Sequence, residues 1–233
     1  MALSSRFFMT TKYGANVILS SCNGLFRLSS QRCLWGMLNS IFNKFDQNRV
    51  NEVGPDRAAA EWLLRCGAAV KFSGYEKWND DYNSLPTGAK DRYRIEAVDA
   101  TDSSIMHIGF DHFRGLEKMR SLKLHHATYI TDESMDKLEI LKDSLEDIQV
   151  TSCGDVSDKG IASLCKLCKL QYIFLCDLPA VRDIESVLNT LRTALPNCEV
   201  RYLSLEGRKD LRRQLTKNRE LIRHFDESNS TTL

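Results

Sequence analysis

The chain has 233 residues and a formal net charge of +1, so it lacks the global basic field that binds nucleic acid or a membrane. Its 42% hydrophobic content is ordinary for a soluble protein, and no apolar run approaches the roughly 18 residues that a membrane-spanning helix needs. The eight cysteines are too dispersed for a small disulfide scaffold, and no secretory signal is evident, so we expect a reducing compartment.

The first 45 residues contain no Asp or Glu, and Asp46 is the first acid. The same stretch is rich in Ser and Thr and carries five basic residues, Arg6, Lys12, Arg27, Arg32 and Lys44. A basic, Ser-rich and acid-free beginning is typical of a mitochondrial transit peptide. The alternative is a tail that only happens to lack acids. We predict a transit peptide over residues 1–34, with cleavage before Trp35.

Residues 35–69 are predicted to form a small helical domain. Apolar residues recur at helical spacing on one face of a first helix: Trp35, Leu38, Ile41, Phe42 and Phe45. Gly54-Pro55-Asp56 opens a second helix, whose expected buried face consists of Ala58, Ala59, Trp62, Leu63 and Cys66. Gly67 stands where a C-terminal glycine cap belongs. This unit would cap the repeats that follow it.

The segment over residues 68–94 is transitional. Val70-x-Phe72 is consistent with an irregular edge strand. The aromatic residues Tyr75, Trp78 and Tyr82 could form a contact surface, but packing between the N-terminal helices and the first repeat is the favoured interpretation.

One short pattern recurs along residues 95–200, with apolar residues at its first, fourth and sixth positions, within a predicted repeat domain that covers residues 70–200. Its copies are Ile95-x-x-Val98-x-Ala100, Met119-x-x-Leu122-x-Leu124, Leu145-x-x-Ile148-x-Val150, Leu170-x-x-Ile173-x-Leu175 and, more weakly, Leu195-x-x-Cys198-x-Val200. Helix-start signals follow three of them, at Thr131-Asp132, Ser157-Asp158 and Arg182-Asp183. A period of about 25 residues is typical of leucine-rich repeats. The predicted fold class is therefore α/β: a leucine-rich-repeat solenoid of about four to five repeats behind the helical capping domain.

Several long runs of residues resemble the mitochondrial ATP synthase coupling factor B family, also called subunit s. Examples are Val53-Gly54-Pro55-Asp56-Arg57-Ala58-Ala59, Ile108-Gly109-Phe110-Asp111-His112 and Ser152-Cys153-Gly154-Asp155-Val156-Ser157-Asp158. The resemblance extends from about Trp35 to Val200. It implies a mitochondrial protein on the matrix side of the inner membrane, peripherally associated, that supports coupling of proton flux to ATP synthesis without hydrolysing ATP. A related family, distal membrane arm assembly component 2, assists assembly of the complex I membrane arm and is the alternative.

The resemblance also implies a magnesium site at Gly67 and Thr101. Asp99 and Asp102 are nearby carboxylates that could hold the waters of such an ion, because Mg²⁺ keeps several waters and often takes one or two protein oxygens. The competing interpretation is that Gly67 is only a helix cap and Thr101 only a turn residue.

No enzymatic constellation stands out in the sequence. There is no Walker lysine motif, and Cys165-x-x-Cys168 lacks a second ligand pair, so packed or partly buried thiols on one helix face are expected there. His125 and His126 are adjacent on a strand and should point to opposite faces, where they cannot easily share a metal. His107 and His112 are expected in a loop or a hydrogen-bonded core. We predict that the protein is not an enzyme.

A solenoid would instead offer a binding surface. Residues at non-core strand positions include the predicted partner surface, Arg120, Lys123, Tyr172 and Phe174. Beyond Val200, residues 201–233 form a basic C-terminal extension, and its stretch 208–223 could be an amphipathic helix for an anionic membrane or simply a solvated extension. The predicted function is docking to the membrane sector of the F-type ATP synthase. The alternatives are complex I assembly intermediates as partners, or a generic repeat adaptor; no nucleic acid is expected.

Overall fold

A seven-stranded sheet, in the order β2-β1-β3-β4-β5-β6-β7, organises the protein. The computed structural model describes residues 36–86, 88, 92–204 and 207. The predicted transit peptide over residues 1–34 and the basic stretch 208–223 lie outside these residues. The chain divides after Gly36 into two units, and the second, Met37–Leu233, contains all the features described below.

The described part of the chain begins with three helices and two short strands, after which strands and helical connections alternate. The helices are α1 (residues 36–42), α2 (Gln47–Val53), α3 (Pro55–Arg65), α4 (Asp132–Lys137), α5 (Asp158–Ala162) and α6 (Ile184–Ala194). The strands are β1 (Ala69–Phe72), β2 (Trp78–Asn79), β3 (Ile95–Asp99), β4 (Ser121–His125), β5 (Asp147–Thr151), β6 (Tyr172–Cys176) and β7 (Glu199–Leu203). Four 3₁₀ helices cover Tyr82–Ser84, His107–Phe113, Leu138–Leu141 and Ser163–Lys166. Within these ranges no helix is long and apolar enough to cross a membrane.

Strands β3 to β7 are parallel and follow one another in chain order, whereas β1 is antiparallel to both β2 and β3. The strand pairing aligns one apolar residue from each parallel strand: Val98, Leu122, Ile148, Ile173 and Val200. The α/β part of the predicted fold class and the first four aligned positions are thereby confirmed. Val70-x-Phe72 is a strand, but the edge position was wrong because β2 pairs on its outer side.

The predicted register of the last copy was wrong by two residues. Cys198 was expected to align with Ile173, but the structure pairs Ile173 with Val200. The connection before β7 contains the 11-residue α-helix α6, whereas the two earlier connections combine a short α-helix with a 3₁₀ turn. Because an α-helix rises about 1.5 Å per residue and a 3₁₀ helix about 2.0 Å, the α-helical connection takes more residues to cover the same distance.

The hydrophobic core lies between the inner face of the sheet and the helices that connect its strands. Alternate residues of the parallel strands are fully buried, among them Leu122, Leu124, Ile148, Val150, Ile173 and Leu175. The cluster continues into the predicted buried face of α3, which is confirmed because Ala58, Ala59, Trp62, Leu63 and Cys66 are all buried. The helical segment and the sheet therefore share one core.

Helix α3 ends in the glycine cap that the sequence predicted. The Gly67 N–H donates to the Leu64 carbonyl at 3.1 Å, and the Ala68 N–H donates to the Leu63 carbonyl at 2.9 Å. This pair of bonds is a Schellman motif, which needs a left-handed residue at its turn. Gly67 supplies it with a φ of +84°.

The acids at the helix starts connect neighbouring copies of the pattern. The carboxylate of Asp132 accepts hydrogen bonds from the N–H and hydroxyl of Ser157, one copy further along. Asp158 accepts from the N–H of Arg182 at 3.0 Å and from the N–H of Asp183 at 2.9 Å. Thr131 and Ser157 are N-caps as predicted, and the N-cap of the third helix is Asp183.

We expect Asp158→Asn to make the unfolding free energy less dependent on pH in the acid range. Hydrogen bonds from the N–H groups of Arg182 and Asp183 hold the pKa of Asp158 below its ordinary value. A carboxylate with a depressed native pKa stabilises the fold above its unfolded pKa of about 3.9, and this stabilisation is lost as pH falls through the native pKa.

Urea denaturation at about pH 7 and about pH 3 measures this dependence, with the exposed Asp155→Asn as control. The stability gap between wild type and Asp158→Asn should be present at the higher pH and shrink at the lower one. An equal gap at both values would contradict the assignment.

One predicted packing arrangement was wrong, and the shared apolar face of α1, which carries Leu38, Ile41 and Phe42, is exposed. Tyr75, Trp78 and Tyr82 were expected to pack between the helices and the first repeat, and all three are exposed. Helical spacing indicates which residues share a face, but not which side of the helix docks.

Candidate functional site

The structure brings together the two segments that carry the predicted magnesium residues Gly67 and Thr101. Ala69 pairs with Asp99 in the antiparallel β1–β3 ladder. Just beyond, the Ser104 N–H donates to the Cys66 carbonyl at 2.8 Å. The two segments therefore run side by side at the same end of the sheet, although they are distant in sequence.

Asp99 is the best-connected acid at this end of the sheet. Its Oδ1 accepts from the N–H and the hydroxyl of Thr101, and its Oδ2 accepts from Lys123 Nζ at 3.0 Å. Burial raises the pKa of Asp99, but the hydrogen bonds from Thr101 and Lys123 outweigh it and hold the pKa below its ordinary value. The carboxylate is therefore ionised and already paired.

Asp102 lies in the adjoining turn with a φ of +54°. Its Oδ1 is 2.6 Å from Nδ1 of His126, and both side chains are largely exposed. The pair connects two neighbouring turns at the surface, where ion pairs contribute little stability.

These side chains do not fit a magnesium ion held by carboxylates. Both oxygens of Asp99 are engaged, Lys123 places a positive charge beside them, and the Thr101 hydroxyl donates to Asp99. No cluster of three acidic, His or Cys groups able to hold a metal occurs among the described residues. The remaining donors are main-chain carbonyl oxygens of Gly67 and Thr101, so the magnesium site stays a prediction.

The open face of the sheet brings three of the four predicted partner residues together. Strand pairing places Lys123, Gln149, Phe174 and Arg201 in one row across β4 to β7. Tyr172 lies in the adjoining row, and the Arg201 guanidinium is 5.8 Å from its ring centroid. Arg120 does not join them, because it precedes β4 and its guanidinium lies 3.8 Å from the Glu146 carboxylate at the beginning of the strands.

The cysteines and histidines that the sequence singled out do not converge on one centre. Cys165 is half-buried and packs against the core, as expected, whereas Cys168 is exposed, against the expectation. Both are free thiols. Burial raises the pKa of Cys165, which disfavours the reactive thiolate. The His125 and His126 ring centroids are 6.5 Å apart, with separate partners in Thr151 and Asp102.

Asn43 was missed in the sequence and is fully buried. Its Nδ2 donates to the carbonyls of Asn39 and Ser104, at 2.8 and 2.9 Å. Its Oδ1 accepts from Trp62 Nε1 at 3.1 Å and from the Met106 N–H at 2.8 Å. This one side chain joins the end of α1 to α3 and to the loop after β3. No sequence signal distinguishes it from the exposed amides nearby.

Trp62 is the centre of the aromatic cluster beside Asn43. The His112 ring stacks on it at 4.9 Å, and Phe113 meets it edge-on at 5.2 Å. His112 is buried and its Nδ1 lies 2.9 Å from the Gly109 carbonyl oxygen, which confirms its predicted core role. Burial lowers the pKa of His112.

A cavity of about 590 Å³ opens between α1, α2, α3 and Tyr82. Glu61 lies on its floor and forms hydrogen bonds with Arg49 and Arg57. Burial raises the pKa of Glu61, but these two hydrogen-bonded guanidinium groups outweigh it and hold the pKa below its ordinary value. Within the cavity lining, Glu61 and Arg49 are therefore paired with each other.

Comparison with known proteins identifies the family. "ATP synthase subunit s, mitochondrial" of Pongo abelii and of Homo sapiens are each 49% identical to the chain over 173 residues, which is 73% of this chain and 86% of each relative. The chain belongs to the mitochondrial ATP synthase subunit s family. The resemblance read from residue runs is thus confirmed.

The chain has a more distant relative in "Distal membrane arm assembly component 2" of Drosophila melanogaster. It is 25% identical over 161 residues, which is 67% of this chain and 57% of the relative. No family model matches the chain.

Proposed function

We propose that the protein is a non-catalytic mitochondrial factor that associates with the F-type ATP synthase and supports coupling of proton flux to ATP synthesis. The observation that carries this proposal is the 49% identity to relatives named as subunit s of the mitochondrial ATP synthase. The acid-free beginning of the chain supports import. In this proposal, residues 1–34 are the transit peptide and the mature protein sits peripherally on the matrix side of the inner membrane.

The proposed architecture is a leucine-rich-repeat solenoid over residues 70–200, capped by the helical residues 35–69, with residues 201–233 as an extension. Two observations support the solenoid: strands β3 to β7 are adjacent in chain order, and their aligned residues recur with a spacing of about 25 residues. Carboxylates at the helix starts that accept hydrogen bonds from the next copy, such as those of Asp132 and Asp158, also favour stacked units.

The open sheet face is the proposed contact surface for the synthase. Lys123, Tyr172 and Phe174 share this face, and aromatic side chains often supply most of the binding energy of an interface. Arg201, which is exposed, lies at the β7 end of the row that contains Lys123 and Phe174. Mixed charge and aromatic area suits a protein surface better than a small molecule.

A magnesium ion remains part of the proposal, held by main-chain oxygens of Gly67 and Thr101. Such an ion would join the two adjacent segments, and it would keep most of its waters. Titration calorimetry of the whole protein with Mg²⁺ tests the idea, because heat of binding supports it and its absence contradicts it.

The functional test uses mitochondria depleted of the endogenous family member. We expect re-expression of this chain to restore ATP made per oxygen consumed, and Tyr172→Gln with Phe174→Gln to lower that restoration by about tenfold, since two anchors would be lost. Tyr75→Gln, which removes an exposed aromatic group outside this face, should restore coupling fully. Thermal unfolding of each variant must first show a folded protein. Equal restoration by the double variant would contradict the assigned surface.

The second candidate function is assembly of the complex I membrane arm. The match to distal membrane arm assembly component 2 favours it, at 25% identity. In the same mitochondria, loss of assembled complex I with normal ATP synthase coupling would support this candidate. If the protein is a generic adaptor, its depletion should change neither the amount of assembled complex I nor ATP synthase coupling.

A further inference from the structure

Helix α1 turns its apolar side outward. Met37 and Ile41 are 61% and 63% exposed, and Leu38 and Phe42 beside them are also exposed. These four residues, the α1 face, form two adjacent i,i+4 rows on the helix. Exposed apolar side chains this close together usually mark an interaction site.

The residues directly after α1 anchor the helix to the rest of the protein. Asn43 directly follows α1 and is buried, with hydrogen bonds to Ser104, Met106 and Trp62. The Phe45 ring packs edge-on against His112 at 5.0 Å. The helix therefore cannot roll its apolar residues inward without breaking the buried Asn43 network, and the α1 face stays available to something outside.

Basic groups lie beside the α1 face. Ile41 lines the same cavity as Lys44, Arg65 and Tyr82. Lys44 and Arg65 are exposed, and neither has a carboxylate partner within the part of the chain that the structure describes. The nearby acids are engaged elsewhere, because Asp46 caps α2 and Glu61 is paired with Arg49 and Arg57.

We propose that the α1 face, with Lys44 and Arg65, is the surface by which the protein lies on an anionic phospholipid bilayer. Apolar side chains enter the headgroup boundary, cations meet the lipid phosphates, and Tyr82 has the amphipathic ring that favours this boundary. In the mature protein of this proposal, residues 35–44 contain no acid and carry Lys44, so this stretch has no negative charge to oppose an anionic surface. The inference deepens the proposed peripheral association by naming its surface.

Vesicle co-sedimentation of the whole protein tests the surface without any ATP synthase present. The vesicles contain phosphatidylcholine alone or phosphatidylcholine with cardiolipin. We expect binding to the cardiolipin vesicles only, and a loss of about tenfold or more in both Ile41→Ser/Phe42→Ser and Lys44→Glu/Arg65→Glu. The matched controls Tyr75→Ser/Tyr202→Ser and Lys118→Glu/Lys142→Glu change exposed residues elsewhere and should bind like wild type.

Three outcomes would overturn the inference. Undiminished binding by both Ile41→Ser/Phe42→Ser and Lys44→Glu/Arg65→Glu would move lipid contact to another segment, such as the basic residues 208–223. Equal binding to both vesicle types would exclude anionic recognition. No vesicle binding by wild type, combined with lost ATP synthase association in Ile41→Ser/Phe42→Ser, would assign the α1 face to a protein partner and leave the proposed function standing.

Discussion

Replacing Gly109 with alanine is expected to lower the free energy of unfolding by about 3 kcal/mol. A Cβ at Gly109 would lie 2.5 Å from Cζ2 of Trp62 and 2.6 Å from its Nε1. The indole cannot retreat, because His112 stacks on it and its Nε1 donates to Asn43. The 3₁₀ helix His107–Phe113 therefore has to move off α3 or the indole has to leave its rotamer.

Gly154→Ala is the matched control for this clash. Nothing lies within 4 Å of a Cβ built at Gly154, so the change should stay within about 0.5 kcal/mol. Urea denaturation followed by tryptophan fluorescence reports both variants. If Gly109→Ala and Gly154→Ala unfold at the same urea concentration, the close packing of Gly109 on Trp62 is wrong.

Asn43→Asp is expected to destabilise the fold by about 3 kcal/mol or more at neutral pH. The amide Nδ2 donates to two carbonyl oxygens, those of Asn39 and Ser104, and an aspartate would face them with an acceptor. The site is fully buried, so a charge there also loses its hydration. Because α1 is held through Asn43, the variant should also loosen α1 before the sheet unfolds.

Hydrogen exchange combined with urea denaturation separates these two effects. Relative to wild type, Asn43→Asp should accelerate hydrogen exchange more in residues 36–46 than in β4 to β6. Asn48→Asp serves as control, since Asn48 is exposed and an acid in the first turn of α2 is favourable. Equal stability of the two variants would contradict the role given to Asn43.

The sequence predicted the strand alignment correctly where the same apolar spacing recurs in successive copies of the pattern. Leu122, Ile148 and Ile173 were aligned correctly, because each copy buries the same positions between sheet and helices. The predicted alignment was wrong at Val200. The connection before β7 is a continuous α-helix, whereas the two earlier connections combine α- and 3₁₀-helix, and the spacing of apolar residues does not distinguish these two types of connection.

The parts of the candidate sites that were missed depend on distant contacts. Asn43 contacts residues 61 and 63 positions away, so no local pattern could mark it as buried. The exposed α1 face could not be anticipated either, because its spacing is the same as that of a buried face. The segments that carry Gly67 and Thr101 run side by side only because β1 pairs antiparallel with β3, whereas the strands that follow are parallel.

Association with the ATP synthase is tested most directly by purifying the C-terminally tagged protein from gently solubilised mitochondria and resolving its complexes on a native gel. We predict co-migration with ATP synthase subunits. Migration with partly built complex I and without ATP synthase, or absence of the protein from mitochondria, would contradict the proposed function.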